Sequence, residues 1–195
     1  MGKPLSERTT MLFIHTTTVD HLLNTAWDLK QVESDCMQCK NYDVHFSCPS
    51  HAFSILEYVH QFKYALVAVQ SIAFDLSGPM TLAEHFQQYK SCIDPVLMSL
   101  ESESDGARAM LPGPCQNCLP DCESGYLADC PNPDLMRYSY ESLGFDVATM
   151  IRAYFDMDLS FEPNQVQLVY GYLLHDPLPD SLQNILHDKL LTCER

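Results

Sequence analysis

Apolar residues recur every three or four positions along most of this chain, and that spacing predicts helices. Thr17-x-x-Asp20 reads as a capping-box start, with Val19, Leu22, Leu23, Ala26 and Leu29 following on one face. Ser50 is placed to cap a second helix, in which Phe53, Leu56, Val59, Phe62, Leu66, Val69, Ala73 and Leu76 would face the core until Ser77-Gly78-Pro79 stops it. Thr81-x-x-Glu84 opens a third helix running through about Ile93, which Pro95 ends or kinks. Leu143, Val147, Met150 and Tyr154 mark a further helix. Pro163 at a first-turn position, then Val166, Val169, Tyr170 and Leu173, mark another, and Leu182, Ile185, Leu186 and Leu190 the last. Few stretches alternate as strands do. The pattern predicts a mainly α protein, a single domain over 1–195 with about five to six helices. Within it we expect a flexible N-terminus at 1–16 and a helical core at 17–100 with a cysteine loop at 35–49. An irregular cysteine-rich insert at 101–134 and C-terminal helices at 135–195 complete the division.

Composition narrows the class. With 46% hydrophobic residues the chain can build a sizeable core, which sets it apart from disordered sequences. Lys and Arg number 11 against 26 Asp and Glu, a formal net charge of −15. Phosphate backbones recruit clustered Lys and Arg, and here the basic residues are scattered singly, so nucleic acid is not an expected partner. The acidic surface points instead to a basic protein partner. The longest apolar stretch, Tyr64 to Phe74, falls short of the ~20 residues that span a bilayer. MLFI at 11–14 is shorter than the roughly 7–15 residues of a secretory signal core. An intracellular protein is therefore expected, with an extracellular one as the alternative. The opening MGKPLS fits the myristoylation pattern at Gly2, although a frayed terminus is the plainer reading.

The cysteines carry the candidate chemistry. Nine are present, and most fall in two clusters. Cys36, Cys39, Cys48 and His51 form C-x2-C-x8-C-x2-H, four ligand types suited to tetrahedral zinc, with His45 as an alternative fourth ligand. Cys115, Cys118, Cys122 and Cys130 offer four thiolates for a second zinc in a stretch with no other visible source of order. Disulfides are the rival reading, and ordinary packed thiols a third. Cys92 and Cys193 stand alone and read as ordinary thiols.

Catalytic signatures are missing. Neither G-x-G-x-x-G nor a P-loop occurs, nor G-x-S-x-G, nor H-E-x-x-H. Asp156-Met-Asp158-Leu-Ser160 begins like a calcium loop, but Phe161 and Gln167 stand where Gly and Glu are needed, so it reads as a polar helix end. Glu57-x-x-His60 lacks the second such pair that a di-iron bundle requires. The expected function is a non-enzymatic interaction or regulatory protein with zinc-stabilised, cysteine-rich loops. An enzyme of unrecognised type is a further alternative.

Three stretches suggest another reading. YKSCIDPVL at 89–97, CQNCLPDCESGY at 115–126 and IRAYFDMDLSFE at 151–162 together resemble the later ectodomain of the degenerin/epithelial sodium channel family, which includes acid-sensing channels. The resemblance implies a truncated, disulfide-bonded ectodomain fragment without the family's membrane spans. It carries over no pore or gating residue.

Overall fold

The decapeptide YALVAVQSIA, Tyr64–Ala73, is apolar almost throughout, and it forms the central strand of a sheet. A run this apolar satisfies a helical period as easily as a strand's; the β-branched Val67, Val69 and Ile72 and burial on both faces decide for the strand. The computed structural model describes residues 10–73, 80–118, 130–160, 162 and 164–194. Gly2, Leu76, the Ser77-Gly78-Pro79 stop, Cys122, Phe161 and Pro163 lie outside the described residues.

The fold is mixed α/β, not mainly α. Strands β1 (Thr10–Thr18), β2 (Tyr64–Ala73), β3 (Arg108–Met110) and β4 (Gln165–Leu174) make one antiparallel sheet in the order β1-β2-β4-β3. Two expected helices are thus strands. In the segment expected to be helical from Ser50 to Leu76, only α3 (Ile55–Val59) is helical before β2 begins. Leu66 and Val69, assigned to one helix face, lie on opposite faces of the sheet, while Phe53 and Leu56 are exposed by 37% and 38%. The segment following Pro163 is β4, whose even-numbered residues Val166, Leu168, Tyr170, Tyr172 and Leu174 line one face. The terminus expected to be flexible through residue 16 enters the sheet as β1 from Thr10.

The remaining helices follow the sequence more closely. Thr18, not Thr17, caps α1 (Val19–Ala26), accepting the His21 N–H at 3.2 Å. Asp28 caps α2 (Leu29–Cys36). The expected capping box forms at Thr81 and Glu84, but α4 (Leu82–Glu103) runs straight past Pro95. Burial of Tyr89, Ile93, Leu97 and Leu100 holds that helix through its lost backbone hydrogen bond. Asp146 caps α5 (Val147–Phe155), and α6 (Asp180–Leu191) closes the order. Helices α4 and α6 cover one sheet face; α1, α3 and α5 cover the other.

Three polar devices fasten this framework. Cys92 and Cys193, expected to be free, form a disulfide between α4 and the 3-10 turn Thr192–Glu194. Glu101 receives Arg137 through two charge-assisted contacts and also accepts the Ala109 N–H at 2.7 Å, tying α4 to β3 and to the 134–137 segment. Fully buried Tyr140 donates its hydroxyl to the Leu66 carbonyl at 2.9 Å, with the Tyr172 carbonyl 3.3 Å away. Gly171 makes room for that contact, since a Cβ there would sit 1.8 Å from the same Leu66 oxygen. No helix among the described residues is long and apolar enough to cross a membrane.

Candidate functional site

The first cysteine cluster begins where α2 ends. Cys36 is its last residue, and Cys39 sits on the next turn, its N–H donating to the Cys36 carbonyl at 2.9 Å. The Asn41 N–H donates to Cys39 Sγ at 3.4 Å. Cys48 follows on the same loop, its N–H donating to the His45 carbonyl at 2.9 Å.

The facing wall is the turn from Tyr138 to Asp146. It is bound to the α1–α2 junction by hydrogen bonds from Asp28 N to the Gly144 carbonyl, Asp146 N to the Ala26 carbonyl and Trp27 Nε1 to the Leu143 carbonyl, at 3.0, 2.8 and 3.0 Å. Gly144 turns the chain with φ +83°, and a Cβ there would lie 2.9 Å from Trp27 Nε1. Glu141, in the 3-10 turn Glu141–Leu143, is thereby brought to the cysteines.

Cys36, Cys39, Cys48 and Glu141 border one cleft of ≈ 930 Å³, which Arg152 and Asp158 also line. The three cysteines carry no disulfide. Burial pushes the Cys36 thiol up to about 11, with Glu141 and Cys39 adding to the rise. Burial likewise pushes Cys48 up to about 11, followed by the charges of Cys39 and Cys36. Burial also raises Glu141, and its Oε2 is shut off from water without a hydrogen-bond partner. Burial thus holds protons on the Cys36 and Cys48 thiols and on Glu141, and a positive ion bound among them would relieve that cost.

His51 lies elsewhere. Its Nε2 is 2.8 Å from the Ser142 carbonyl, and its ring packs 5.1 Å from both Phe53 and Tyr138. Burial lowers its pKa. Glu141, not the expected fourth ligand His51, borders the cleft with the three thiols. It lies a hundred residues from the thiols in the chain, and no spacing rule points to it. In the second cluster, Cys115, Cys118 and Cys130 line a separate small cavity with His45, and Cys122 lies outside the described residues. Among the described residues, no group of three or more His, Cys, Asp or Glu side chains is arranged to hold a metal ion. The donor chemistry of the cleft fits a borderline or soft divalent metal nonetheless: free thiols, a buried carboxylate oxygen in want of a partner, and a net acidic surround.

Comparison with curated proteins and with solved structures gave no match. A family profile described as "Predicted metal-binding protein (DUF2284)" matches residues 28–174, a span holding both cysteine clusters. That match overturns the resemblance to the degenerin/epithelial sodium channel family. Two of the segments behind the resemblance are helical: Tyr89–Leu97 is the middle of α4, and Ile151–Phe155 ends α5. A profile spanning most of the sequence, from α2 to the last residue of β4, leaves one assignment: the chain belongs to the DUF2284 family of predicted metal-binding proteins.

Proposed function

We propose that this protein binds a divalent metal, zinc in the first instance, through Cys36, Cys39 and Cys48, with Glu141 as the fourth donor. The observation that carries the reading is the meeting of three reduced cysteines and an unpartnered buried carboxylate oxygen at one cleft. The ion would supply positive charge where burial now holds protons. Ligation would fasten the 37–50 loop to the turn carrying Glu141, much as structural zinc stabilises small loops elsewhere. The protein is then a non-enzymatic interaction or regulatory module, whose formal charge of −15 selects a basic protein partner.

One observation favours a second reading. The cleft is lined by Arg152 and Asp158 as well as by the donors, and its ≈ 930 Å³ matches sites that take small molecules. An ion held there with one open position would meet such a ligand, as catalytic zinc does.

Metal analysis tests the proposal. Reduced protein, stripped with chelator and reloaded with zinc, should retain an ion after gel filtration. Cys39→Ser and Glu141→Gln should each weaken that retention, and loading should protect residues 37–50 from protease. Retention unchanged in Cys39→Ser, with the loop equally protected before and after chelation, would remove the cleft as the metal site.

A further inference from the structure

The same loop also borders a second constellation. His45, Cys115, Cys118 and Cys130 line a cavity of only ≈ 10 Å³, about the space one water or one ion fills. The three cysteines come from one stretch of the chain and His45 from a distant loop, and none of the three is disulfide-bonded. Cys115 is buried, and its N–H is held by Ser47 Oγ at 2.8 Å, so the loop bearing His45 is docked directly onto the segment bearing the thiols. The Asn132 side-chain amide donates to Cys118 Sγ at 3.3 Å, and the Asn132 backbone N–H supports Cys130.

His45 adds the decisive feature. Its Nδ1 is shut off from water and has no hydrogen-bond partner. A buried ring nitrogen left in that state is uncommon and calls for an occupant. Ordered water answers poorly, because sulfur is a weak partner and three of the surrounding polar groups are thiols.

From this geometry we infer a second metal site, distinct from the cleft, in which Cys115, Cys118, Cys130 and His45 hold one zinc-class ion. The donor set is three sulfurs and one imidazole, a common composition for structural zinc. Cys122, which the spacing alone would make the fourth ligand, is not required. The ion would pin three separated pieces of chain together: the 37–50 loop, the 113–118 stretch and the 130–136 stretch. The cleft and the cavity have no lining residue in common, so each site can fill without the other.

The experiment is metal counting on the full chain, by native mass spectrometry and elemental analysis, using zinc and cobalt as probes. Wild type should hold close to two ions. His45→Ala, Cys118→Ser and Cys130→Ser should each lose one, whereas Cys122→Ser should keep both. His45→Cys should restore the second ion and move the cobalt visible bands to longer wavelength, since a sulfur replaces a nitrogen; a histidine that only packs would leave the spectrum unmoved. Far-UV circular dichroism and Trp27 emission report whether each variant has folded, and His45→Cys carries the test if His45→Ala has not. Loss of an ion in Cys122→Ser with full retention in His45→Ala would overturn the inference in favour of a four-cysteine site. A wild type with a single ion that survives Cys118→Ser and Cys130→Ser would overturn it outright. A single ion lost in Cys130→Ser but kept in Cys39→Ser would sink the cleft proposal and leave this one standing.

Discussion

Tyr140→Phe isolates the bolt between the site and the sheet. The ring stays, so no cavity opens, and only the hydroxyl that donates to the Leu66 carbonyl is lost. A hydrogen bond contributes about 0.5–1.5 kcal/mol net, and leaving a buried acceptor short of its donor adds to the loss, so about 2 kcal/mol is expected. For a chain of this size that corresponds to a fall of roughly 4–8 °C in Tm. Gly171→Ala attacks the same carbonyl from the other strand. Its Cβ would arrive 1.8 Å from the Leu66 oxygen and 3.2 Å from the Tyr140 hydroxyl, so β2 and β4 must separate locally. Its effect should therefore exceed that of Tyr140→Phe. Because both substitutions act on one oxygen, the double variant should lose measurably less than the two single losses added together. Equilibrium urea unfolding followed by Trp27 emission is the assay, as that indole is hydrogen-bonded to Leu143 in the same turn. A Tyr140→Phe protein within about 0.3 kcal/mol of wild type would refute the argument, and so would strict additivity.

Other outcomes follow from other parts of the molecule. Asp94→Asn strands the ammonium of Lys90, whose partner at 2.7 Å is buried with it, and should destabilise by about 3–5 kcal/mol in urea melts; Lys90→Met with Asp94→Leu should be close to neutral. Reducing the Cys92–Cys193 bridge, which spans 101 residues, should lower stability by about 2–4 kcal/mol, and Cys92→Ser should match it in the absence of reductant. Zinc affinity of the cleft should fall as pH is lowered. Cys36 and Cys48, both raised to about 11, hold their protons at neutral pH and must release them to bind, so loading should acidify a weakly buffered solution. No proton release on stoichiometric binding would mean that these thiols are not ligands.

The parts of the fold legible in the sequence were those fixed by local chemistry. Thr81 and Glu84 announced α4, and the periodicity of α1, α5 and α6 matched their buried faces. The sheet was hidden because β2 and β4 are buried on both sides, which erases the alternation that betrays a half-exposed strand. Val166, Val169, Tyr170 and Leu173 mimic a helical face only because nearly every residue around them is buried too. The two cysteine groupings were visible from spacing, and the structure brings Cys36, Cys39 and Cys48 to one cleft and Cys115, Cys118 and Cys130 to one cavity. Their non-cysteine neighbours were not visible. Glu141 and His45 reach the thiols through tertiary folding, while His51, correctly spaced, is claimed by the Ser142 carbonyl and two aromatic rings.

The strand order also dictates a sequence of events during synthesis. β2 lies between β1, made before it, and β4, which leaves the ribosome only after Gln165. At typical elongation rates the interval between Ala73 and Gln165 is on the order of ten seconds. Throughout that time the most apolar strand of the nascent chain has one hydrogen-bonding edge unpaired, an invitation to intermolecular pairing. Cellular yield should thus depend on how quickly the ribosome traverses the stretch between these strands, and on holdase chaperones that shield β2 until its partner emerges.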